Sequence, residues 1–104
     1  MIITTGNEIN GHKITELGIV RGNVVQARHI GRDIMAGFKN IAGGEIKSYT
    51  ELTNSARDIA YTRMVAEAKE LGADGVIAMR FSSSSISDGT IEMLCYGTAV
   101  KFRK

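Results

Sequence analysis

The chain has 104 residues with 13 Lys and Arg against 11 Asp and Glu, a net charge of +2, so residues 1–104 are read as one domain around a single core. That balance lacks the basic footprint of nonspecific nucleic-acid binding, and no nucleic-acid partner is expected. With no basic leader and no run near the ~20 apolar residues that span a bilayer, no membrane partner and a cytoplasmic location are expected; the one cysteine, Cys95, has no mate for an internal disulfide and agrees with a reducing compartment.

The first long element is "KITELGIVRGNVVQARH", Lys13 to His29, where Val and Ile interleave with polar residues as in a strand. Gly18 and Gly22 inside it are expected to mark bends or bulges. Ile34, Met35, Phe38, Ile41 and Ala42 then recur at helical spacing, which predicts a short amphipathic helix from Asp33 to Ala42 with Asp33 at its positive end. Gly43 and Gly44 stop it, since glycine takes the left-handed conformation that closes a helix without needing a ligand to explain it.

Ser48 followed three residues on by Glu51 fits a capping box and starts a second, longer helix. Its apolar stripe is Leu52, Ala56, Ile59, Ala60, Met64, Ala68 and Leu71, and Gly72 ends it. "VIAMRF", Val76 to Phe81, is short and apolar and reads as a buried strand. Asp88-Gly89 is a two-residue hairpin signal. Pairing Ser87 with Thr90 across it sets Phe81 opposite Tyr96, Met79 opposite Thr98 and Ile77 opposite Val100, on the face expected to receive the helices. The other face would carry Ala78, Cys95, Gly97 and Ala99, small enough for another backbone to approach.

The residues with chemical potential are few. Metal sites need several His, Cys or carboxylate groups converging on one point. His29 and Asp33 are close in sequence and could supply two ligands, with others from Glu45 or a neighbouring subunit; Cys95 is the soft donor, and His12 is the remaining histidine. An ordinary partly exposed histidine and a small buried cysteine explain the same residues. Arg57, Asp58 and Tyr61 fall within about one helical turn of one another, as a polar cluster, a solvated face or a subunit contact. The Gly43-Gly44 pair lacks the pattern of a phosphate or dinucleotide loop.

Three blocks, "RHIGRDIMAGFKNIAGGEIKSYTEL", "ARDIAYTRMVAEAKELGADGVIAMRF" and "YGTAV", together resemble the YbjQ-like family, whose members are labelled heavy-metal-binding. The resemblance spans nearly the whole chain. Gly75 stands where alanine is more usual in the family, a departure that bears on how the strand start packs. The resemblance implies an α+β subunit in two layers, an antiparallel sheet with two helices on one face, similar to dodecin subunits and assembling as a homopentamer. It implies a transition-metal ion as the cofactor to consider but supplies no ligand set, so Gly43, Gly44, Tyr49 and Asp74 enter as structural or interface candidates.

No catalytic signature is present, which favours a binding module over an enzyme with an inter-subunit active site. A structural or scaffold homo-oligomer without ligand stays open beside it. Self-association is expected because two helices cover one sheet face only and open strand edges invite pairing with another chain.

Overall fold

A computed structural model of the chain describes residues 1–27, 47–87 and 89–104, and of Lys47 and Ser48 the backbone alone. The expected first helix at 33–42, with Gly43 and Gly44, lies outside the described residues, as do His29 and Asp88. Strand β1 is Ile2–Ile3, β2 is Lys13–Ala27, helix α1 is Lys47–Glu70, β3 is Gly75–Ser87 and β4 is Thr90–Arg103. The sheet runs β1-β3-β4-β2. It is mixed rather than antiparallel throughout, because the N-terminal Ile2 and Ile3 lie parallel to Gly75 and Val76 while β2, β4 and β3 alternate in direction.

Helix α1 forms where its stripe predicts and ends in a Schellman motif: the Ala73 amide donates to the Ala68 carbonyl at 3.1 Å and the Gly72 amide to Lys69 at 2.9 Å. Gly72 sits at φ 72°, the left-handed conformation this motif requires. Of this helix Lys47–Glu70 is described, so the expected Ser48 cap falls at the limit of the described residues. Leu71 falls past the last turn and is exposed.

Under α1 lies the main core: Val20 and Val24 of β2, Val76 of β3, Met93, Cys95 and Ala99 of β4, and Ala56, Ala60, Met64 and Ala68 of the helix. A fully buried side chain the size of Met64 stabilises by roughly 1.5–3 kcal/mol over an exposed one. A smaller cluster, Ile9, Ile77 and Val100 with Ile14 and Phe102 around it, is sealed by the N-terminal segment.

Two expectations fail here. The hairpin closes as predicted, with Ser87 opposite Thr90, but β3 holds irregularities between Ser85 and Ser87 and again between Ile77 and Arg80. Each slips the register by one, so Phe81 faces Cys95 rather than Tyr96 and Ile77 faces Thr98 rather than Val100. The helix also covers the face opposite to the one expected. Cys95 and Ala99 lie in the core with the alanines and Met64 of α1 of the same chain, not against another backbone.

Gly18 marks a bulge, as expected: it has φ 136° and the β2–β4 register shifts between Glu16 and Gly18. Gly22 does not bend the strand. It pairs regularly with Cys95 and lies so close beneath α1 that a Cβ there would strike the Ala60 carbonyl and the Met64 amide. The β3 irregularity contains Ala78 at φ 53°, held by its amide donating to the Gly6 carbonyl at 2.8 Å and by that of Met79 donating to Thr4 at 3.1 Å.

The molecule is long. Its radius of gyration is 17.1 Å and its extents are 57 × 25 × 16 Å, whereas a compact domain of this length has a radius near 13 Å.

Candidate functional site

Cys95 is the one metal-ligand candidate of the sequence that the described residues include. It is fully buried in the middle of β4, and its Sγ lies 3.5 Å from the Sδ of Met64, which α1 sets above it. Both sulfurs are soft donors of the kind that select copper(I) and related ions over hard cations. Burial pushes the thiol up from 9.0 to about 11, because removal from water disfavours the thiolate. Cys95 is therefore a protonated, apolar side chain near neutral pH, and a metal would have to displace its proton.

The other candidates do not gather around it. His29, Asp33 and Glu45 lie outside the described residues. His12 stacks on Phe102 with ring centroids 3.9 Å apart and planes 15° from parallel, at the end of the sheet that the N-terminal segment covers. Among the described residues, no three His, Cys, Asp or Glu side chains are placed to hold one metal ion.

Arg57, Asp58 and Tyr61 occupy the solvent side of α1. Arg57 donates from Nη1 to Asn54 Oδ1 at 3.0 Å, three residues back on the helix, and no ion pair joins it to Asp58 among the described residues. Tyr49 has a role inside the subunit: its hydroxyl accepts the Gly89 amide at 3.1 Å and fastens the helix start to the hairpin turn. Asp74 is likewise structural. Its Oδ2 accepts the Phe102 amide at 2.7 Å and its Oδ1 lies 3.9 Å from Lys101 Nζ, while that lysine donates to the Gly72 carbonyl at 2.9 Å.

Three features of the surface were not legible in the sequence. Arg63 and Glu67, one turn apart on α1, reach over the outer edge of β2: Arg63 donates from Nη1 to the Asn23 carbonyl at 2.6 Å, and Glu67 Oε1 accepts the Arg21 amide at 3.3 Å. Along β3, the outer strand of the hairpin, every residue from Arg80 to Ser87 is exposed. The sheet face away from α1 bears Ile19, 77% exposed, and Val25, 55% exposed, with Tyr96 between them on the neighbouring strand. Alternation in β2 was the available signal for the last feature, but which alternate faced the helix depended on contacts with α1.

No helix among the described residues is long and apolar enough to cross a membrane. A solved structure of a protein of unknown function from Pediococcus pentosaceus, assigned to the DUF74 family, superposes with a TM-score of 0.68 over 99% of this chain and 98% of that one, at 20% identity. That likeness supports the fold alone. A protein of Thermosipho africanus named UPF0145 is 58% identical over 105 residues, covering 100% of this chain and 97% of the relative. Another UPF0145 protein, from Psychromonas ingrahamii, is 57% identical and covers both chains in full. A family model described as "Putative heavy-metal-binding" matches residues 1–103, and the chain belongs to this YbjQ family.

Proposed function

We propose that the chain is a subunit of a closed homo-oligomer, a pentamer as the family resemblance implies, and that it binds a heavy-metal ion or small ligand where subunits meet. The observation that carries the reading is the sheet face away from α1, which exposes large apolar side chains among the described residues. Ile19, Tyr96 and Val25 are exposed on the face away from α1, with Arg21 and Asn23 set between the two β2 residues, and large apolar side chains left in water on one face mark an association surface. The elongated shape, 57 Å in its longest extent, supports the same reading, since it leaves more surface open to another copy than a compact domain would. The family description supplies the ligand class. His29 and Cys95 are the borderline and soft donors that a heavy-metal ion would favour, and the burial of Cys95 away from any subunit surface gives His29 the larger part at a junction.

Calorimetric titration of zinc and copper(I) tests the reading on wild type above and below the concentration at which the oligomer dissociates. Binding only above that concentration, weakened by His29→Ala and less by Cys95→Ser, is the expected result. Equal affinity at both concentrations would remove the junction from the account, and equal tight binding by a His29→Ala, Cys95→Ser double variant would exclude both ligands.

A further inference from the structure

Ala78 and Met79 interrupt the ladder between β3 and β4. Ile77 pairs with Thr98 and Arg80 with Tyr96, so these two residues stand against Gly97 alone, which is the pattern of a β-bulge. Ala78 takes up the extra length at φ 53°, a left-handed backbone that L-residues avoid. Gly97 leaves the space for it: a Cβ there would meet Val76, the Ile77 carbonyl and the Met79 Cα. A second slip lies between Ser85 and Ser87, so residues 80–85 keep a register of their own between two irregularities.

The N-terminal segment holds the bulge in place. Three consecutive carbonyls, those of Thr4, Thr5 and Gly6, accept from three consecutive residues of β3. The Met79 amide donates to Thr4 at 3.1 Å, Arg80 Nη1 to Thr5 at 2.8 Å and the Ala78 amide to Gly6 at 2.8 Å. The amides of Ile2 and Thr4 donate back to the Asp74 and Val76 carbonyls at 3.3 and 2.9 Å. Ile9 anchors the segment by burial in the cluster with Ile77 and Val100.

The side chains beyond the bulge add little to the choice of register. Pairing is strongly specified where one face of a strand is buried and weakly where both faces are polar. Every residue from 80 to 87 is exposed, and the four serines from Ser82 to Ser85 present the same side chain after a shift by one. On the side of the observed register stand the bonds to the N-terminal segment and Met79, which packs against the main core. Against it stands the backbone strain at Ala78.

We propose that the N-terminal segment is a register lock for the hairpin. Docked, it keeps the bulge at Ala78. Released, it lets Ala78 relax to extended backbone, the pairing of Ile77 with Thr98 runs on without interruption, and the extra residue passes along β3 to the slip before Ser87. Met79 then stands opposite Tyr96 and Phe81 opposite Leu94. A shift by one turns each side chain to the other face: Phe81, now across from the core residue Cys95, moves with Met79 to the face that exposes Ile19, Tyr96 and Val25. The state of the N-terminal segment thereby sets how much apolar surface that face presents. The device goes beyond the self-association reading and does not depend on it.

Disulfide trapping reads the register directly. Glu92 pairs with Ser84, so a Ser84→Cys, Glu92→Cys pair bridges in the docked register and a Ser83→Cys, Glu92→Cys pair in the slipped one; a residue one place off points its Cβ to the other face and is not bridged without backbone movement. Each pair is built into the full chain, oxidised with glutathione and mapped by mass spectrometry for the bridge within one chain. Two substitutions release the bulge by separate routes. Ile9→Asp unseats the segment, whereas Ala78→Val leaves the segment intact and sets a β-branched residue where the left-handed backbone is required. Ala78→Gly favours the docked register and is the control. The otherwise wild-type chain and Ala78→Gly are expected to bridge from position 84. Ile9→Asp and Ala78→Val, each folded by circular dichroism, are expected to move the bridge to position 83. A bridge that stays at position 84 in every variant that folds, or one that forms equally from position 83 in the otherwise wild-type chain, overturns the lock. Neither result bears on the molar mass, so self-association stands or falls separately.

Discussion

Gly22 of β2 lies against the backbone of Ala60 on α1, with no room for a single methyl group between them. The atoms a Cβ would meet are a main-chain carbonyl and the Met64 amide nitrogen, and these move only if the helix moves. The relationship fixes the depth at which the whole alanine stripe of α1 settles on the sheet.

Gly22→Ala is therefore expected to lift the helix and destabilise the fold by at least about 1–3 kcal/mol, the range for overpacking a close-packed core. Urea unfolding of Gly22→Ala beside wild type checks this. A Gly22→Ala midpoint equal to wild type would show that α1 does not lie against β2 as described.

The Cys95 thiol gives a pH signature. Its folded pKa, about 11, lies above the ordinary 9.0, so between those values the unfolded chain gives up the proton first and the folded state loses stability as pH rises. At about 1.4 kcal/mol per tenfold change, the loss attributable to this group is roughly 2–3 kcal/mol by pH 11. Below pH 8 it contributes no pH dependence. Other groups titrate in the same window, so the measurement is the difference between wild type and Cys95→Ala in unfolding free energy at pH 8 and pH 11. The difference between the two proteins should narrow towards high pH, and a constant difference would mean that Cys95 is not buried as a thiol.

Ala78 holds a left-handed backbone at φ 53°, which costs an L-residue about 1–2 kcal/mol. Hydrogen bonds from Ala78 and Met79 to Gly6 and Thr4 keep it there. Ala78→Gly relieves the strain but adds unfolded-state freedom worth about 0.5–1 kcal/mol. The expected net change is a stabilisation of up to about 1 kcal/mol, read as a higher urea midpoint. A clear loss of stability would contradict the left-handed conformation.

Much of this fold is legible in the residues. The stripe from Leu52 to Ala68 and the glycine after it determine α1, because helical spacing and a left-handed stop are local properties. The Asp88-Gly89 turn determines the hairpin for the same reason. The sheet face is not legible: in β4 both alternating sets, Met93-Cys95-Ala99 and Leu94-Tyr96-Val100, are apolar enough to face a helix. The choice was made by Gly22 and the alanines of α1, which match small surface to small surface across elements far apart in sequence. The bulge at Ala78 was hidden as well, since alanine carries no signal for a left-handed backbone and the holding carbonyls belong to residues 4 and 6. Of the site candidates, the sequence singled out Cys95 but not Met64, whose Sδ reaches it only through the tertiary packing of α1 on β4.

Self-association is the claim on which the proposed function stands, and the molar mass in solution tests it most directly. Multi-angle light scattering across a dilution series of purified wild type should give a whole-number multiple of the 11.2 kDa subunit, five if the family resemblance carries over, with no populated open-ended species. A mass of one subunit at every concentration would contradict the account, because the exposed apolar side chains of Ile19, Tyr96 and Val25 would then have no second copy to cover them.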